Sequence, residues 1–438
     1  MYKTPDTPET APVTSARKSR LGRFEVLPKL AGRSFLPIGL FARLPLAMLT
    51  VGALTLATSA SGSYAVGGFA AGAVGIGSAL GAPVLGFLAD RLGQRPVLIT
   101  AALLNTLAIA LVVASTYSVP GFSGGALVLV LVSAFSMGFT CPQIGPLARV
   151  RWMALTRDRP ASDLDTALSY ESTADELTFV MGPALVGLLA SLIAPWLPLT
   201  LAAVLTVVLV IAFAVHPTSA LLEPGRRSVG GSNGTGQVPA VRWKLVALPV
   251  AGMVAMGTFF GSTQAALIAF AGQFGASTSA GLLYAVMGLS SAAAALSVAY
   301  WRQSFSHHRR WIASAGGMVA LAALLFLPQT IASMLLVLFL LGIPVGPTMV
   351  TIFSIGSVVA PKHLMGTVMT LLASGIVAGT ALGSSLAGLL ADGADPTQAL
   401  LVPLCAAFAL LVLGLGSTRI LRAEERPSGG LPSAEADG

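Results

Sequence analysis

The sequence predicts an all-α integral membrane protein with twelve transmembrane helices in two pseudo-symmetric six-helix bundles. Three observations carry that prediction. Of the 438 residues, 55% are apolar and only 10% are charged, and the mean hydropathy is +0.84; an ordinary soluble chain carries roughly 25% charged residues. Between apolar stretches, Lys and Arg occur in alternate loops and are absent from the others. Finally, parts of the second half of the chain repeat the first.

Taken in order, residues 1–34 are polar, with Pro and Arg, and lack the apolar core of a signal peptide before the first span. They are expected to form a mostly disordered cytoplasmic tail. Apolar stretches long enough to cross the hydrocarbon follow at 36–60, 64–89, 96–116, 125–147, 168–193 and 197–216. Residues 217–242 are polar, with Arg226, Arg227 and a glycine-rich run from Gly230 to Gly236, and read as a flexible cytoplasmic linker. The glycines do not make a phosphate loop, because no strand precedes them and no Gly-Lys-Ser/Thr closes them. Six further stretches occupy 243–271, 278–300, 311–328, 332–357, 365–390 and 397–418. The expected domains are therefore a tail at 1–34, a bundle at 35–216, the linker at 217–242, a second bundle at 243–422 and a tail at 423–438.

The charges support this count. Loops 117–124, 192–198, 272–278, 328–332 and 392–397 contain neither Lys nor Arg. The intervening loops carry Arg149, Arg151, Arg157, Arg159, Arg302, Arg309, Arg310 and Lys362, and only Arg43 falls well inside a predicted span. Such alternation is the positive-inside pattern; it puts both termini in the cytoplasm and the chain in the cell membrane. The net charge of +8 is explained by orientation in the bilayer, so no nucleic-acid partner is expected. Cys141 and Cys405 lie in apolar runs and read as packing residues, not as a disulfide framework or a metal site. His307-His308 reads as a solvated pair, and no cofactor, metal or enzymatic motif is found.

The repeat is clearest between Gly182-Pro-Ala-Leu-Val-Gly-Leu-Leu-Ala-Ser191 and Gly383-Ser-Ser-Leu-Ala-Gly-Leu-Leu-Ala-Asp392. Gly138 and Pro142 of the fourth span have a looser echo in Gly342 and Gly346 of the tenth. Between the second and third spans lies Gly86-Phe-Leu-Ala-Asp-Arg-Leu-Gly-Gln-Arg95, a charged turn that must sit at the membrane surface. Gly86, Asp90, Arg91, Gly93 and Arg95 resemble the signature loop of major facilitator superfamily transporters, with Gln94 standing where that family usually has a second basic residue. The resemblance covers about 35–422. It implies two six-helix halves that rock about a central cavity, with spans one, four, seven and ten around it. It also implies that Asp90 meets the start of helix eleven, at 361–366, when the inner gate is closed.

Charged and polar residues within the spans are further candidates. Arg43 lies just inside one membrane edge, and Glu171, Asp175 and Glu176 lie at the same edge of the fifth span. The four-residue spacing of Glu171 and Asp175 puts both on one helix face, and the matching positions in the second half are Leu372, Ile376 and Val377. The expectation is that Arg43 pairs with this cluster and that one of its acids, in excess over a single cation, carries a proton. Snorkelling of Arg43 and a helix-dipole role for the acids are the alternatives. Gly182, Pro183 and Gly187 mark a bend in helix five and resemble part of the longer Gly-Pro motif of proton-driven exporters, whereas the helix-four arginine of many such exporters has no match in 125–147. Thr140, Gln143, Thr263, Gln264, Thr348 and Thr351 are candidates to line the cavity.

The sequence thus points to a secondary transporter working by alternating access. It is expected to be a monomer in the lipid bilayer that exports a small amphipathic molecule in exchange for protons. The alternatives are transport of a sugar or other neutral metabolite and, from another class, a non-transporting membrane sensor or scaffold.

Overall fold

The computed structural model describes residues 22–118, 124–222, 243–274, 280–302, 304–391 and 396–425. Regular structure among them is entirely helical. Among the described residues, twelve helices are long and apolar enough to cross a bilayer: Phe35–Ser61, Val66–Leu92, Gln94–Tyr117, Leu127–Leu155, Ala161–Leu192, Leu197–Val215, Trp243–Gly272, Ala280–Tyr300, His307–Phe326, Ile331–Val359, Lys362–Ala391 and Thr397–Ser417. These are spans one to twelve. Helices suit the setting because each satisfies its own backbone where no water is available.

Two spans are interrupted. Span one consists of Phe35–Phe41 and Leu44–Ser61, joined at 42–43. Span four consists of Gly125–Phe139 and Ile144–Leu155, separated by 140–143, where Pro142 cannot donate a backbone hydrogen bond. Span four also runs past its expected end at 147, and span five begins at Ala161, well before 168. Hydropathy ends both stretches at charged residues, but the helices continue because those charges are paired or hydrogen-bonded inside the protein.

Packing repeats with a shift of six. Spans one and five, two and four, three and four, three and six, and one and six pack together. So do seven and eleven, eight and ten, nine and ten, nine and twelve, and seven and twelve. The repeated glycines take part in this. A side-chain carbon on Gly182 would fall 2.6 Å from Ala47 of span one, and one on Gly383 would fall 2.1 Å from the Thr258 carbonyl of span seven. Small residues at these points let membrane helices approach closely.

The halves meet through spans two and eleven on one side and five and eight on the other. Their cross-half hydrogen bonds, ion pairs and ring contacts lie from mid-membrane to the face that bears both ends of the bundle, here the terminal face. The protein is therefore closed at that face.

Part of the expected tail is folded. Gly22–Glu25 forms a 3₁₀ turn and Val26–Ala31 a helix with Leu27 and Ala31 buried. Pro217–Leu222, the expected start of the linker, is a 3₁₀ turn with Thr218, Ser219 and Leu222 buried, and the last helix runs on to Glu425. Leu27 and Ala31 find a place in a core cluster of the first bundle, and Leu222 joins the cluster that holds Val150 and Val246, burial that a polar average over the window conceals. The rest of the expected linker and tails, 1–21, 223–242 and 426–438, lies outside the described residues.

Candidate functional site

The contact between spans two and eleven is built around one carboxylate. Asp90 Oδ1 accepts the Gly366 N–H at 2.9 Å, and Oδ2 accepts the Thr367 N–H at 2.7 Å and the Thr367 hydroxyl at 2.8 Å. Span eleven's α-helix begins at Met365, so these are first-turn amides with no partner in their own helix, and a negative charge there also meets the positive end of the helix dipole. Asp90 caps a helix of the opposite half. Gly86 makes the approach possible: a side-chain carbon there would stand 2.0 Å from the Thr370 hydroxyl and 2.7 Å from the Gly366 carbonyl.

The rest of the loop serves the first half. Gly93 takes φ +89, a conformation suited to glycine. Arg91 lies 4.4 Å from the centre of the Phe87 ring on its own helix, and Arg95 opens span three. Gln94 is buried; its amide donates to the Leu147 carbonyl at 3.1 Å and its oxygen accepts from Arg151 Nε at 2.9 Å. A basic residue at 94 would face the Arg151 guanidinium, which gives the departure from the family pattern a local cause.

The second constellation joins spans one, four and five. Arg43, at the break in span one, pairs with Glu171 through Nη2 and with Asp175 through Nε at 2.8 Å, and it donates to the Gly39 carbonyl at 2.6 Å. Trp152 Nε1 donates to the other oxygen of Glu171 at 2.6 Å. Arg149 Nη2 reaches Asp175 Oδ2 at 2.7 Å, and its guanidinium lies 3.7 Å from the centre of the Phe353 ring of span ten. The expected pairing of Arg43 with Glu171 and Asp175 is present. The expected excess of acid is not, because two arginines face two carboxylates. Arg149 and Arg151 were expected in a loop; both are 0% exposed inside span four. Arg149 and Trp152 are the residues that sequence reasoning missed. Their available signal was the need for a second cation opposite the acids of span five.

Glu176 lies apart from this cluster. It follows Asp175 in sequence but points into the seam with span eight, where the Ser291 hydroxyl donates to its Oε1 at 2.7 Å. The side chain is buried, and among the described residues no cation pairs with it. Beside it the Thr173 hydroxyl donates to the Ala292 carbonyl at 3.1 Å.

Span five passes through Pro183 as one continuous helix; Gly182 lies against span one, while a side-chain carbon on Gly187 would meet nothing within 4 Å. Thr140 and Gln143 flank the break in span four; Gln143 is buried and donates to the Cys141 carbonyl at 3.0 Å. Thr263, Thr348 and Thr351 are buried, each donating to a carbonyl four residues back, so their hydroxyls are spent within their own helices. Gln264 is exposed. His216, just beyond span six, joins Ser34 at 3.2 Å and Thr218 at 3.1 Å; burial and the Arg151 charge hold its imidazole below its ordinary pKa.

A twelve-span, two-half membrane protein sealed at one face by a helix-capping carboxylate has the architecture of a secondary transporter. The model of the Major Facilitator Superfamily matches residues 35–384, and the chain belongs to that family. No curated protein matches it by sequence. Among solved structures it is similar to the human organic anion transporter MFSD10 (TETRAN), with 18% identity, TM-score 0.65 and coverage of 87% of this chain and 99% of that one. A bacterial homologue of the iron transporter ferroportin in its outward-facing state gives 17%, 0.65, 88% and 98%. The transporter FucP in its outward conformation gives 15%, 0.56, 87% and 98%. At these identities the likeness is one of fold.

Proposed function

We propose that this transporter exports a small amphipathic compound across the cell membrane in exchange for protons, with Glu176 as the proton carrier and the terminal face in the cytoplasm. The observation that carries the reading is the setting of Glu176: a carboxyl group buried at a seam between the two halves and bonded to a neutral hydroxyl, with no cation paired to it among the described residues. A charged carboxylate there would be desolvated without compensation, so the neutral acid suits the closed seam. When spans five and eight part, water reaches the group and it can release its proton to that side. Glu171 and Asp175 are poor carriers by the same reasoning, since Arg43 and Arg149 balance their charge. The distribution of Lys and Arg supports the orientation. Loss of the proton would then be tied to opening at the cytoplasmic face, which is what an antiporter requires. Asp90 acts as the cytoplasmic gate.

The test compares Glu176→Gln, Glu171→Gln and Asp175→Asn in proteoliposomes, using a panel of amphipathic compounds. Glu176→Gln should abolish gradient-driven transport while retaining exchange of labelled for unlabelled compound. Gradient-driven transport by Glu176→Gln at the native rate would refute this assignment.

A further inference from the structure

The segment ahead of span one is attached to both halves. Its helix is anchored on the first: Leu27 and Ala31 are buried in one cluster with Phe35, Trp152 and Phe213. The Tyr170 hydroxyl donates to the Leu36 carbonyl at 2.8 Å, and Ser34 is bonded to His216. From this anchor the turn Gly22–Glu25 reaches the second half. Arg23 Nη1 donates to the Ala299 carbonyl at 2.6 Å, its guanidinium lies 5.6 Å from the centre of the Tyr300 ring, and Phe24 meets the same ring edge-on at 6.1 Å. Gly22 has φ +54, and a side-chain carbon there would stand 2.7 Å from the Tyr300 hydroxyl.

Ala299 and Tyr300 belong to the last turn of span eight, where helix carbonyls lack internal donors and a cation is favoured by the dipole. The position matters because of an asymmetry between the two seams. At the seam of spans two and eleven, Asp90 crosses from the end of one span to the start of the other. At the seam of spans five and eight, span eight ends in Trp301-Arg302 and has no matching acid. The Arg23 contact lies at that end.

We propose that residues 22–31 form a strap, anchored on the first half and clasped on Tyr300 and Ala299 of the second, that holds the terminal face closed. Its clasp takes the place of the carboxylate missing from span eight. For that face to open, spans five and eight must separate, and Arg23 and Phe24 must first leave Tyr300. The anchor stays with the first half throughout.

Spin labels at Arg157→Cys and Arg309→Cys, on opposite halves of the terminal face, in a Cys141→Ala/Cys405→Ala background report the opening directly by electron–electron distance. Arg23→Ala and Tyr300→Ala should each raise the long-distance population roughly five- to tenfold, the weight of a solvent-facing cation–π contact plus one hydrogen bond. The double variant should exceed neither single one by much, and Arg23→Lys should restore part of the closed population. Deletion of residues 1–25, which spares the buried anchor, should have the same effect as Arg23→Ala and serves if a point variant does not fold. An unchanged distance distribution in the deletion protein, or in folded Arg23→Ala and Tyr300→Ala, overturns the proposal. The measurement follows neither protons nor cargo, so its failure would leave the Glu176 reading standing.

Discussion

Asp175 and Glu176 are neighbours in sequence and occupy opposite electrostatic settings. Asp175 faces spans one and four, where it and Glu171 meet Arg43 and Arg149 with a tryptophan N–H completing the shell. Glu176 is turned toward span eight and meets a serine hydroxyl. The ion pairs and the tryptophan hydrogen bond of the first setting lie within one half, and only the Arg149 contact with the Phe353 ring crosses to the other. The second lies between the halves and exists only while they touch. A balanced cluster is suited to holding three helices together, and a lone acid at a moving seam is suited to changing its protonation.

The sharpest way to break this comparison is to unbalance the cluster. Arg43→Ala leaves Glu171 buried without its cation, and loss of one partner of a buried pair costs about 3–5 kcal/mol. Thermal unfolding in detergent should show a large drop, and replacing Arg43 and Glu171 together with apolar residues of similar volume should recover much of it. Native stability in Arg43→Ala would mean that the cluster does not hold the spans.

The gate comes next in size. Asp90→Asn removes the charge opposite the first turn of span eleven, an effect of up to about 2 kcal/mol in partly buried geometry. The population open at the terminal face should rise by about an order of magnitude, read as labelling of Thr370→Cys by an impermeant maleimide from that face. Labelling at the rate seen with Asp90 intact would remove the carboxylate from the gate.

Glu176→Gln sharpens the contrast from the other side. The amide oxygen can still accept from Ser291, so stability should stay within about 1 kcal/mol of native. Glu171→Gln, which weakens the pair with Arg43, should be clearly less stable. Equal losses in the two variants would erase the distinction between the two settings.

The smallest effect belongs to His216. Its folded pKa lies below its unfolded value of about 6.5, so between the two the unfolded chain binds more protons. The stability it contributes is complete above about pH 6.5 and is lost as pH falls through the folded pKa. His216→Gln should flatten that part of the stability–pH curve; an unaltered acid slope would place the titration elsewhere.

Long apolar runs, Arg-bearing loops in alternation and the glycine repeat were enough to read twelve spans, because crossing a bilayer demands length and apolar composition that no short-range context can disguise. The loop Gly86 to Arg95 likewise showed its place, since a charged turn between two apolar runs has only the surface to occupy. The pairing of Arg43 with Glu171 and Asp175 was legible for a related reason: buried charge requires a partner. The location of Arg149 was not, because a hydropathy window penalises an arginine without seeing the carboxylate that neutralises it. Nor was the fate of Gly22–Ala31, whose few apolar side chains matter only once a cleft exists to receive them. The sequence by itself determined the spans and which residue types needed partners, because those follow from transferring each segment from water to hydrocarbon. Only the tertiary structure decided that Asp175 faces two arginines while Glu176 faces a serine hydroxyl, since a single step along a helix turns a side chain by about 100° and sends it to a different neighbour.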